Sequence, residues 1–343
     1  MFSNKQKTTL SILTLSSHLF GSNWTGGAAP NTDWINVANW DAGVPNAVDA
    51  EATFRPEIST TTVDLTSGPF TIGNLGINSN EVITIGAANT PKLTIQTSSG
   101  NGQITFSNQP HKIMADLTLS SNTVVTQNAT SAVEISGNID GSGNLIKAGA
   151  GTLILSGNDS YTGTTTINNG TLAITNHDNL ENSSEVTIAS NGTLVPDSVF
   201  GVTIQALFGD GTIDIQNTPF LIQSGSFSGT ITSSPAAVGA LTKTTSGTLL
   251  LAGKNSYQNP TELQGGILQV GTNQSLGTTT INFAGGTLQP INDNLVLNNN
   301  AEVGSDSIID TQQFSFTFSG AINNPYFSQD SGNKPPIYDI SYL

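Results

Sequence analysis

Two pairs of carboxylates, Asp210 with Asp214 and Asp306 with Asp310, stand four residues apart in segments that alternate apolar and polar side chains. In an extended chain that spacing puts both acids of a pair on one side. There, two carboxyls in unlike environments could divide the acid and base work of polysaccharide cleavage. Spacing alone does not create unlike environments, and solvated surface acids are the simpler reading. His18, His111 and His177 are isolated, with no spacing that suggests a metal centre. Asp140-Gly141-Ser142-Gly143 reads as a turn rather than a calcium loop. Trp24, Trp34 and Trp40 could stack on sugars; closing one end of an elongated β structure is the preferred role. The sequence therefore assigns no catalytic, cofactor-binding or metal-binding residue.

Composition narrows the partners. Of 343 residues only 10% are charged, against roughly 25% in ordinary soluble domains, and the polar quota is filled by Asn, Thr, Ser and Gly. Formal net charge is −15, with nine Lys plus Arg, and Arg55 is the sole arginine. Nucleic acids and anionic membranes are held by clustered Lys and Arg, so neither is an expected partner. The absence of cysteine excludes disulfides and thiolate metal sites. No apolar run is long enough for a transmembrane helix. Lys5 and Lys7 precede a half-apolar stretch from Leu10 to Phe20, interrupted by Ser16, Ser17 and His18, so residues 1–22 read as a weak signal or a loose N-terminus.

The elements that would carry any site repeat. Gly-Thr-Leu or a close relative begins at Gly151, Gly170, Gly192, Gly211, Gly229, Gly247, Gly266 and Gly286, at intervals of 19, 22, 19, 18, 18, 19 and 20. Short alternating strands at a near-constant step are the mark of a solenoid, whose single coil cannot bury its own apolar residues. Leu153, Leu172, Leu194, Ile213, Ile231, Leu249, Leu268 and Leu288 are expected to form one inward column. A second, formed by Leu155, Ile174, Ile215, Leu251 and Val270, is expected to break at Pro196, Ser233 and Pro290. The threonines between them, Thr152 to Thr287, are expected to face out. A β-sandwich also has short alternating strands, but it does not repeat the same three residues at the same step.

Residues 239–268 align without a gap on residues 143–172, with Lys147 on Lys243, Tyr161 on Tyr257 and Gly170 on Gly266, all 96 apart. That separation reads as five coils. The shared pattern, G-x-L-x-K-x-G-x-G-T-L-x-L-x-G followed by Tyr and a second G-x-L, resembles the passenger-associated transport repeat of bacterial autotransporters. The segment WINVANWDAGVPNAVDAEATF is similar to the opening of many such passengers. Gly149 becomes Thr245 and Gly163 becomes Asn259 in the second copy, so that coil is expected to turn differently.

The resemblance implies an all-β, right-handed parallel β-helix, secreted or displayed at the bacterial outer-membrane surface, with an unidentified glycan or protein as its surface ligand. Lys147 and Lys243 belong to the repeat pattern and are structural before they are catalytic; Tyr161 and Tyr257 pack a loop onto the helix. Passengers of this family cross the outer membrane through a C-terminal β-barrel, for which the residues after Phe318 are too few. The translocator would then be separate, or missing from this reading frame. Residues 23–60 read as an N-terminal cap, 61–322 as the β-helix and 323–343 as a tail. The alternative function is a carbohydrate-active β-helix, a polysaccharide lyase or a glycoside hydrolase.

Overall fold

The computed structural model describes residues 21–323, apart from 108, 177–178, 198–200, 217, 234–238 and 305–306. His18, His177 and Asp306 lie outside the described residues, as do residues 1–20 of the proposed signal and almost all of the tail. The chain winds into a parallel β-solenoid of about 12 turns of about 21 residues. Each turn has three sides. The strands pair in parallel with those one turn away on the same side; for example, Leu145 pairs with Thr165 and Thr165 with Val186.

Three faces result. The first begins at Ser22–Trp24 and Glu51–Phe54 and runs through Leu145–Ala148 to Thr248–Leu251 and Gly286–Pro290. A second carries Thr62–Val63, Val133–Ile135 and Thr152–Leu155. The third starts at Phe70–Ile72 and later holds Leu241–Lys243, Thr261–Leu263 and Ile281–Phe283. Long strands such as Thr165–Ile174 and Val186–Pro196 bend around a corner and serve two faces.

Alternation explains the core. Along each strand every second residue points inward, and parallel registry sets like upon like. Leu153, Leu172, Leu194, Ile213 and Ile231 stack by direct pairing, and all are fully buried. Each such side chain contributes about 1.5–3 kcal/mol. Pro196 and Pro290 do not break the second column: both lie in register, on Ile174 and Val270, with their rings buried. Ser233 takes its place on Ile215 and is half-buried.

The single column of eight is corrected. Leu249 pairs with Gly225, not with Ile231, so Leu249, Leu268 and Leu288 form a column on the first face while the earlier five lie on the second. The 18 residues from Ile231 to Leu249 cover only two sides of a turn. The two copies are therefore not five turns apart. Leu145 returns to its own face at Thr165, Val186, Leu207 and Gly225, four turns on, and two further sides lead to Leu241. At four and two-thirds turns, the second copy is rotated by one side about the axis.

At the N-terminal end Trp24, Trp34 and Trp40 are buried, so their faces are not offered to sugars. Trp34 lies 4.8 Å from Trp40 and 5.7 Å from Phe70, and Trp24 lies 5.5 Å from Phe54, between ring centroids. Trp34 Nε1 donates to Pro45 O at 3.0 Å and Trp40 Nε1 to Trp34 O at 2.7 Å. The loop between the first two strands thus seals the apolar interior of the first turn.

Candidate functional site

Lys147, Lys243, Tyr161 and Tyr257, which recur in both copies, point inside the solenoid and not onto its surface. Lys147 follows Leu145 by two and so must point inward; it is fully buried. Its Nζ donates to Ala148 O at 2.9 Å, Gly149 O at 2.8 Å and Asn169 O at 3.0 Å. Three ammonium hydrogens meet three carbonyls, two in its own corner and one in the corner of the next turn. Lys243 repeats the arrangement on Thr244 O, Thr245 O at 2.9 Å and Gly265 O at 3.1 Å. Burial draws both ammonium groups down, to about 8.

The corner itself is the same in both copies, against expectation. Gly149 has φ 76° and Thr245 has φ 59°, so the threonine adopts the left-handed backbone that its branched side chain disfavours. Carbonyl contacts to Lys243 hold it there, and Thr245 Oγ1 reaches Gln223 O at 3.5 Å. Asn259 likewise keeps the loop of Gly163, since its Nδ2 donates to Gly239 O at 2.8 Å.

On the third side of each repeat the strand ladder gives way to a loop, and side chains take over its hydrogen bonds. Asp159 Oδ1 accepts from Ile139 N at 2.8 Å. Ninety-six residues on, Asn255 Oδ1 accepts from Ile231 N at 2.8 Å. Beyond this first bond the copies differ. Asp159 Oδ2 accepts from Asn179 Nδ2 at 2.6 Å, whereas Asn255 Nδ2 donates to Ser275 O at 2.6 Å. Asp159 has no cation beside it among the described residues, and burial pushes its carboxyl up to about 7.

Two residues further along, Tyr161 and Tyr257 are buried with their hydroxyls 2.6 Å from Thr165 Oγ1 and 2.7 Å from Thr261 Oγ1. Thr165 Oγ1 continues to Ser183 Oγ at 2.9 Å. Each tyrosine thus fastens its loop to the next inward strand. Asp159, Asn179 and Thr165 were not singled out from sequence, although Asx before Ser-Tyr in SGNDSY and AGKNSY was a legible signal.

The acids considered for catalysis that are described, Asp210, Asp214 and Asp310, are none of them fully buried. Asp214 lies on Thr212–Ile215, where it accepts from Gln216 Nε2 at 2.8 Å and Thr232 Oγ1 at 3.4 Å. Asp210 is exposed at the preceding corner. Asp310 is half-buried just after Ser307–Ile309, its carboxyl held below the usual range by hydrogen bonds from Gln312. Asp140 accepts from Thr118 Oγ1 at 2.6 Å and pairs with Lys92. His111 is buried with Nδ1 accepting from Ile83 N at 3.1 Å and Nε2 2.9 Å from Ser107 O, an arrangement that fits a neutral ring. Burial lowers its pKa. Among the described residues, no group of three or more His, Asp or Glu could hold a metal ion, and no helix is long and apolar enough to cross a membrane.

The passenger-associated-transport-repeat family model matches residues 145–174 and 241–270. No curated protein and no solved structure matches the chain. The matched segments are the two inward-facing cassettes just described, so the chain carries two passenger-associated transport repeats in a parallel β-solenoid, as an autotransporter passenger does.

Proposed function

We propose that the chain is a secreted or cell-surface β-helical passenger without catalytic activity, which presents an elongated outer face for adhesion to a glycan or protein surface. One observation carries this reading. Thr152, Thr171, Thr193, Thr212 and Thr230 stand in direct register on the outside of the second face, and their hydroxyls have no hydrogen-bond partner among the described residues. They make a ladder at the strand spacing of about 4.8 Å, uncharged along its length, while the repeats' lysines and tyrosines are spent inside. Adhesion by such a surface sums many weak contacts. Delivery across the outer membrane would rest on a β-barrel translocator, in the same polypeptide or apart from it.

Beads coated with the full chain test this on cell and polysaccharide surfaces. The variant Thr152→Lys/Thr193→Lys/Thr230→Lys, whose charges stand two strand spacings apart and are largely screened at physiological salt, should keep its melting temperature and lose most adhesion; unchanged adhesion removes the ladder from the function. Prolonged incubation with acidic and neutral polysaccharides should release no reducing ends or unsaturated uronates. Turnover that disappears in Asp210→Asn/Asp214→Asn would replace the adhesive reading by the enzymatic one.

A further inference from the structure

Near the C-terminal end of the described chain a shallow, open groove of about 580 Å³ lies on the outer surface, with its Lys254, Asn273, Gln274, Asp293 and Asn294 side chains exposed. It crosses three successive turns. Lys254 follows the strand Thr248–Leu251, Asn273 and Gln274 follow Ile267–Val270, and Asp293 and Asn294 follow Gly286–Pro290. Because these strands pair in register, the corners after them lie one above another. The groove therefore runs along the solenoid axis for two strand spacings, about 10 Å.

Its frame is fastened and its rim is not. Asn273 Oδ1 accepts from Val296 N at 2.9 Å, and Asp293 Oδ1 accepts from Ser315 N at 3.0 Å. Asn294, at φ 59°, donates from its backbone N to Ser315 Oγ at 3.0 Å. Leu295 is buried beneath. The Lys254 ammonium, the Gln274 amide and the side-chain Nδ2 groups of Asn273 and Asn294 have no partner among the described residues. One cation and one carboxylate leave the groove without net charge, so it offers an acidic chain no advantage. Amide groups that donate and accept match hydroxyls that do the same, and a linear ligand matches a groove laid along the axis.

We propose that this groove binds a short, linear, uncharged oligosaccharide aligned with the solenoid axis. The proposal rests on the adhesive reading and names its ligand class. Titration of the full chain with maltotriose and tri-N-acetylchitotriose, followed by calorimetry or ligand-observed NMR, tests it, with trigalacturonate as the acidic comparison. At least one neutral sugar should saturate, and trigalacturonate should not. Lys254→Gln/Gln274→Ala should weaken binding about tenfold, the loss of one or two net hydrogen bonds. Asn294→Gly, which keeps the left-handed backbone, should weaken it in the same direction, with melting unchanged in both variants. No binding of either neutral sugar, preference for the uronate, or unaltered affinity in both variants overturns the proposal. Adhesion of coated beads that persists in any of those cases leaves the adhesive reading standing, whereas polysaccharide cleavage would remove that reading itself.

Discussion

Thr245 occupies the corner that Gly149 makes in the first repeat and takes the same left-handed backbone, φ 59° against 76°. The exchange is not symmetrical. A Cβ on Gly149 would come within 2.3 Å of Gln127 O and 2.6 Å of Asn128 Oδ1, while Thr245 has room for its side chain beside Gln223 O. Thr245→Gly is expected to raise stability by about 0.5–1 kcal/mol through relief of backbone strain, offset in part by the freer unfolded chain. Gly149→Thr is expected to lower it by about 2 kcal/mol or more. Urea unfolding of both variants checks this; a loss of stability in Thr245→Gly, or none in Gly149→Thr, would contradict the asymmetry of the two corners.

Asp159 and Asn179 in the first repeat face the same question as Asn255 and Ser275 in the second, with different chemistry. The Asp159 carboxyl titrates near 7 when folded and near 3.9 when unfolded. Between those values the folded state holds the extra proton, so this group lowers stability as pH rises from about 4 to about 7. Asp159→Asn should abolish that slope. Alone it also sets the new amide against Asn179 Nδ2, donor to donor. Asp159→Asn/Asn179→Ser, which reproduces the second repeat, should recover the stability that the single change loses at pH 4.5. A double-mutant cycle followed by thermal melting at pH 4.5 and 7.5 reads both effects.

Lys147 and Lys243 are held by three carbonyls each. Removing either ammonium leaves buried acceptors unpaired, so Lys147→Met should cost about 2–4 kcal/mol. Brief amine acylation of the native protein, read by peptide mass spectrometry, should modify Lys254 and Lys92 and spare Lys147 and Lys243. Rapid labelling of the buried pair would contradict the inward assignment.

Ile213 and Thr212 are adjacent and face opposite ways, Ile213 fully buried between Leu194 and Ile231. Ile213→Asp would bury an unpaired carboxylate in the column and should cost several kcal/mol. Thr212→Asp should shift stability by no more than about 0.5 kcal/mol. Matched losses of the melting transition would mean that the two faces are wrongly assigned.

Strand alternation was legible because a period of two is a property of the backbone itself. It was enough to turn Leu153, Leu172, Leu194, Ile213 and Ile231 inward and Thr152, Thr171, Thr193, Thr212 and Thr230 outward, but not to end that column before Leu249. The inward lysines were legible too, at the same parity as Leu145 and Leu241. Repetition at 96 residues likewise marked the two cassettes.

What the sequence could not decide was phase around the axis. Ile231 and Leu249 are separated by 18 residues, as are Ile213 and Ile231. One interval spans a full turn and the other two sides of one, because the length of each corner and loop is set by how it closes on the turn below. Only stacking reveals that Leu249 rests on Gly225. The same holds for the fasteners: Asp159 becomes a ladder substitute when the strand at Ile139 loses its partner, and the groove beside Lys254 exists because three corners far apart in sequence are superposed. Alternation is local and readable from residue types. Superposition depends on the summed geometry of whole turns, which tertiary structure alone supplies.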